Sequence, residues 1–161
     1  MNVYMDYLSS IGINADILIK KVERTLRAAR RVCPEEIQSI YISDWIQPEG
    51  QRAYGHLLLF TNTYIIESAN FSTDTNVNIE ITVLKDRVIY VIVKYNDYFE
   101  KANTASRLSV IFHTDSGVFE LKGAKENCDK LIEVYDKYVR PNISKVAIPG
   151  WRSLLTPSGN E

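Results

Sequence analysis

Residues 109–139 read SVIFHTDSGVFELKGAKENCDKLIEVYDKYV, a tight hairpin that runs straight into one amphipathic helix. Leu108, Val110 and Phe112 alternate, Asp115, Ser116 and Gly117 turn the chain, and Phe119 and Leu121 continue the apolar face. The helix expected from Ala124 to Val139 carries Cys128, Leu131, Ile132, Tyr135, Tyr138 and Val139 as a wide apolar stripe, and Pro141 ends it. A helix joined this closely to a hairpin is expected to plug a small, strongly bent sheet.

The upstream chain supplies that sheet and a second helix. Over 14–32, Leu18, Val22, Leu26 and Ala29 recur at helical spacing, with Asn14 or Asp16 as the expected cap and Pro34 as the stop. From Ile37 the period changes. IQSIYIS predicts a first strand, Pro48 and Gly50 mark a turn, and YGHLLLFTNTYIIES predicts two short strands joined near Thr61, Asn62 and Thr63. VNIEITVLKDRVIYVIVKYNDYF predicts a long hairpin turning at Lys85, Asp86 and Arg87. In its second arm Val88, Ile89, Val91, Ile92 and Val93 leave neither face polar, so cover on both sides is expected, from the N-terminal helix or a second copy.

The expected fold is α+β: a small bent antiparallel sheet or partly open barrel, with an N-terminal helix and a closing C-terminal helix. Its parts are an N-terminal helical segment (1–34), the sheet and closing helix (35–140), and a tail (141–161). Val146, Ile148, Trp151, Leu154 and Leu155 make that tail apolar enough to dock, on its own domain or on a partner.

This order of elements resembles a pleckstrin-homology-like domain. GHLLLFTNTYIIES is similar to the second and third strands of bacterial PH and GRAM-type domains, LSVIFHTDSGVFEL to their last hairpin, and NCDKLIEVYDKYV to their closing helix. PEEIQSIYIS is similar to the acidic lead-in to their first strand. Where relatives often have a basic residue soon after Thr-Asn, this chain has Thr63 and Tyr64. Phosphoinositide-binding members gather several basic residues around the loop joining the first two strands. Here that loop offers Arg52 and His56 against Asp44 and Glu49, too few cations for a phosphate cluster.

Function is narrowed mainly by exclusion. A formal net charge of −1 over 161 residues lacks the basic excess of a nucleic-acid binder. No nucleophile elbow, Cys-His pair, glycine-rich phosphate loop or metal-ligand cluster stands out, so neither an enzyme nor a bound cofactor or metal is expected. Cys33 and Cys128 form no motif and are expected as free thiols. MNVYMDYLSS lacks the basic end and apolar run of a signal peptide, which places the expected chain in the cytoplasm.

Two contact surfaces remain. Residues 16–31 carry six basic and two acidic side chains, +4 formally, against −5 for the remainder. Lys20, Arg24, Arg27 and Arg31, with Arg52, are the candidates for an anionic ligand or membrane surface, though any solvated helix shows such a stripe. Trp45, Val91, Val93 and Trp151 are the candidates for a partner contact, since half-exposed aromatics anchor interfaces as often as they finish a core edge. The functional expectation is a non-catalytic module that binds a protein partner or self-associates, and the alternative is a peripheral binder of anionic membranes.

Overall fold

A computed structural model of the chain describes residues 4–73, 75–96 and 107–144. It begins with two helices, α1 (Tyr4–Ser10) and α2 (Asp16–Val32). The expected cap of α2 is not made. Ala15 occupies the cap position without a side-chain bond, and Asp16 sits in the first turn, where its charge favours the helix dipole. The stop is as expected, with the Cys33 N–H donating to Ala29 O at 2.8 Å just before Pro34. The short helix α1 falls within the expected helical segment 1–34 but ahead of the one helix expected there, over 14–32.

Four strands follow: β1 (Ser39–Ile46), β2 (Arg52–Phe60), β3 (Tyr64–Ser68) and β4 (Glu80–Val83), each antiparallel to its neighbour in the order β1-β2-β3-β4. The run Leu57–Phe60 leaves β2 without a polar face, and both faces are covered. Leu58 and Phe60 point into the main core. Leu57 and Leu59 join Ile40, Ile42 and Ile66 beneath Val22, Leu26 and Ala29 of α2 and Leu8 of α1.

The second sheet has three antiparallel strands, β5 (Val88–Asn96), β6 (Arg107–Thr114) and β7 (Gly117–Ala124). Its inner face presents Leu108, Val110, Phe112, Phe119 and Leu121 to Tyr41, Phe60 and Ile65 of the first sheet. The closing helix α3 (Asn127–Val134) lays Cys128, Leu131 and Val134 across the end of this core. The architecture is therefore α+β with two small antiparallel sheets, and among the described residues they do not close into a barrel.

Three expectations are corrected. The segments on either side of Lys85–Arg87 do not form a hairpin: β4 pairs with β3 and β5 with β6. The corner between them is pinned by Leu84 and Lys85 N–H groups donating to Thr63 O, and Asp86 takes a positive φ of 59°. The N-terminal helices do not cover β5, because they lie on the first sheet, and Ile92 and Val93 stay 41% and 48% exposed. The closing helix is shorter than its apolar stripe. A π-turn over Tyr135–Val139 winds the chain wider, bringing Tyr138 and Val139 into the core and leaving Ile132 outside. Beyond it, Ile143 bridges Val88 in parallel; the tail from residue 145, with Trp151, lies outside the described residues.

The two sheets are joined at the β1–β7 corner by side chains. The register of β1 on β2 shifts between Ile42 and Asp44, and the Ser43 and Asp44 side chains replace a ladder there. The Ser43 Oγ accepts the Lys122 N–H at 2.9 Å, and the Tyr41 hydroxyl donates to Lys122 O at 2.6 Å. Fully buried Asp44 accepts from the Ala124 N–H at 3.0 Å and the Asn127 amide at 2.7 Å, and its other oxygen takes the Arg52 guanidinium. Asn127 also donates to Ile42 O at 2.9 Å and accepts from the Tyr7 hydroxyl at 2.9 Å, so α1 and α3 meet in the same network.

Burial raises the Asp44 pKa, and the Asn127 and Arg52 contacts offset only part of that cost. The network thus fixes geometry more than it adds net stability, and breaking it from one side is expensive. Asp44→Ala is expected to lower unfolding free energy by about 3–5 kcal/mol, because it strands a buried amide, a backbone N–H and a cation together. Asp44→Leu/Arg52→Met is expected to recover part of that loss. Denaturant unfolding of wild type, Asp44→Ala, Asp44→Leu, Arg52→Met and the double variant checks both, and a double-variant loss equal to the sum of the Asp44→Leu and Arg52→Met losses would show that the two residues act independently.

Candidate functional site

Trp45 follows directly on the buried Asp44, and its indole is seated from two sides. On β2, Gly55 leaves room for it: a Cβ there would stand 2.9 Å from an indole ring carbon. On β7, the Lys122 ammonium lies 5.3 Å from the ring centroid, a cation–π distance. The Lys122 backbone is itself bonded to Ser43 and Tyr41, so the aromatic platform and the sheet corner are one unit. Trp45 remains 37% exposed.

A cleft opens on each side of this indole. The first, of about 590 Å³, runs between Trp45 and the outer face of the second sheet and is bordered by Lys94, Arg107, Ser109 and Lys122. Register explains that set. Lys94, Ser109 and Lys122 are cross-strand partners in one row of β5, β6 and β7, all on the face opposite the core. The next rows on the same face are Ile92, Ile111 and Glu120, then Tyr90, His113 and Val118. The Tyr90 and His113 rings stack at 4.1 Å, and Val118 is 60% exposed. One sheet face therefore grades from cationic to apolar over three rows, with Glu120 reaching Lys122 at 3.7 Å on the boundary.

The second cleft, of about 390 Å³, is bordered by Trp45, His56, Glu67 and Glu120. The His56 Nδ1 lies 2.9 Å from a Glu67 carboxylate oxygen, and this hydrogen bond raises the imidazole pKa above its ordinary value. Among the described residues no group of three or more His, Cys, Asp or Glu is placed to hold a metal ion.

The residues singled out by sequence scatter over three places. Lys20, Arg24, Arg27 and Arg31 are all exposed on α2, away from its buried stripe. Arg27 and Arg31, with Tyr4, Glu23 and Arg30, border a shallow hollow of about 460 Å³. Arg52 is engaged elsewhere: it grips Asp44, donates to Glu126 at 2.6 Å and to Ala124 O at 3.2 Å. Val91 and Val93 pair with Phe112 and Val110 on the core side of β5; Val91 packs on the core, and Val93 lies past its edge. Of the partner candidates Trp45 stands beside a cleft, and Trp151 lies outside the described residues.

Lys94, Lys122 and Gly55 escaped sequence reasoning. The Asp115–Gly117 turn, which pairs Thr114 with Gly117, already places Lys122 opposite Ser109, so half of the cationic row was implicit in the hairpin. Lys94 needed the β5–β6 register, which a connection of ten residues outside the described set does not fix.

The His56–Glu67 contact makes stability depend on pH. Because the folded-state pKa lies above the unfolded value near 6.5, its contribution is complete below 6.5 and is lost as pH rises through the raised value. Thermal unfolding against pH is expected to show a downward step in that window, and Glu67→Gln is expected to flatten it. An unchanged slope in the variant would assign the step to another group.

Among the described residues no helix is long and apolar enough to cross a membrane. Compared with protein-family models, curated proteins and solved structures, the chain matches none.

Proposed function

We infer that this chain is a non-catalytic, pleckstrin-homology-like interaction module that binds protein, another chain or a second copy of itself, through the outer face of its second sheet. The observation that carries this reading is the exposure of Tyr90, Ile92 and Val118 in two neighbouring rows of one sheet face, with Val118 and the seated indole of Trp45 bordering the same cleft. Large apolar side chains grouped on one sheet face are costly to leave wet, and a half-exposed tryptophan held in place is an efficient anchor for a partner. The order of four strands, three strands and a plugging helix supports the pleckstrin-homology-like assignment.

If this face exists for contact rather than for folding, charging it leaves stability alone. Ile92→Glu/Val118→Glu is expected to unfold within about 0.5 kcal/mol of wild type, as exposed substitutions do. Light scattering across a concentration series is expected to show association in the wild type and a monomer in the variant. Equal association by both proteins, or collapse of the variant's stability, overturns the reading.

A second reading, peripheral binding to anionic membranes, is favoured by the exposure of Lys20, Arg24, Arg27 and Arg31 together with Ile17 and Val32 near the two ends of α2. It requires sedimentation with anionic vesicles that weakens steeply with salt and is lost in Arg24→Glu/Arg27→Glu/Arg31→Glu. Binding that is absent, or indifferent to salt, removes it.

A further inference from the structure

We propose that the groove beside Trp45 is the docking site for an extended, acidic protein segment, whose acids meet Lys94 and Lys122 and whose apolar residues run on over Ile92, Ile111, Tyr90 and Val118. This rests on the interaction-module reading and names the chemistry of the partner.

Charge is the first argument. Lys94 and Lys122 both border the groove. Asp44 also borders it, but its carboxylate is buried and engaged by Arg52, so it does not offset the rim. Glu120 stands one row away, towards the apolar end, and takes Lys122 only at 3.7 Å. A carboxylate entering the groove meets ammonium groups in a partly enclosed setting, where each contact is stronger than on an open surface.

Spacing is the second argument, and it selects a polypeptide over a small anion. The cationic row and the two apolar rows succeed one another every second residue of β5. Successive rows are therefore about 6.6–6.8 Å apart, the distance between side chains i and i+2 of an extended chain. A segment laid along β5 with an acid at one position and apolar residues two and four positions away meets all three rows with one face. Inorganic phosphate or a free carboxylate uses only the first. Trp45 walls the cationic end with a rigid ring, which limits the entropy lost on binding.

The test is a titration of the full, ¹⁵N-labelled chain followed by amide and indole shifts. The probes are acetyl-Leu-Thr-Leu-Thr-Glu-Glu-amide, its counterpart ending Lys-Lys, and inorganic phosphate. The acidic peptide is expected to move Lys94, Ser109, Lys122, Ile92 and the Trp45 indole saturably, while the basic one leaves them in place. Lys94→Glu is expected to weaken the acidic peptide about tenfold, and it spares the Lys122–Trp45 contact, so the platform stays intact. Equal shifts from both peptides overturn the acidic specificity and leave the interaction reading standing. Phosphate reproducing the acidic peptide's shifts at the same concentration overturns the extended-segment occupant. Shifts centred on Arg27 and Arg31 overturn the site. Silence on this face from both peptides overturns the site, and the light-scattering series then decides the reading beneath it.

Discussion

The carboxylate of Asp44 is the point on which the two sheets, two helices and one aromatic platform all depend. It has no exposed surface, and it collects a backbone N–H from β7, an amide from α3 and a guanidinium from β2. Placing a carboxylate there costs desolvation, visible as its raised pKa. The return is geometric. Sheets that turn away from each other at a corner leave main-chain groups without ladder partners, and buried groups of that kind must be satisfied. Ser43, Asp44 and Asn127 serve as the missing partners, and the Tyr7 hydroxyl, its proton held by burial, completes the set with the Ile42 N–H.

That arrangement explains what reading the sequence can reach here. Period and turn chemistry are local, so the hairpin of β6 and β7, the pair β2 and β3, and the apolar stripe of α2 are all legible from short windows. Which sheet a strand joins is not local. The run around Lys85–Arg87 has the alternation of a hairpin, yet the Thr63 carbonyl takes the Leu84 and Lys85 amides and sends β5 into the other sheet. Asp44 in DWI reads as a loop acid because nothing nearby in sequence announces Asn127 or the Ala124 amide. Gly55 looks like any strand glycine until the Trp45 ring is placed against it.

The misassigned helix shows the same limit in energetic form. Two strands carry apolar residues on both faces, the Leu57–Phe60 part of β2 and the Val88–Val93 part of β5, and only one of them lies under α1 and α2. Burial of the outer leucines of β2 is worth roughly 1.5–3 kcal/mol each, enough to decide where a short amphipathic helix settles. With α2 committed to β2, the outer face of β5 keeps Tyr90 and Ile92 at the surface. Pattern alone ranks the two strands equally. Connection decides between them: α2 leads into β1, the neighbour of β2.

The second sheet then divides its two faces between core and surface. Its inner face is locked by the Phe112–Phe119 stack at 5.0 Å and by the residues of α3, so substitutions outside need not disturb the core. Its outer face meets the Asp44 corner at Lys122, whose ammonium lies over the Trp45 ring and whose backbone is held by Ser43 and Tyr41. A ring seated in this way has little freedom left to lose, which is what suits it to the docking role proposed for it. The buried carboxylate and the exposed indole are adjacent in the chain, and the bonds that fix the first at the sheet corner also fix the strand end that carries the second.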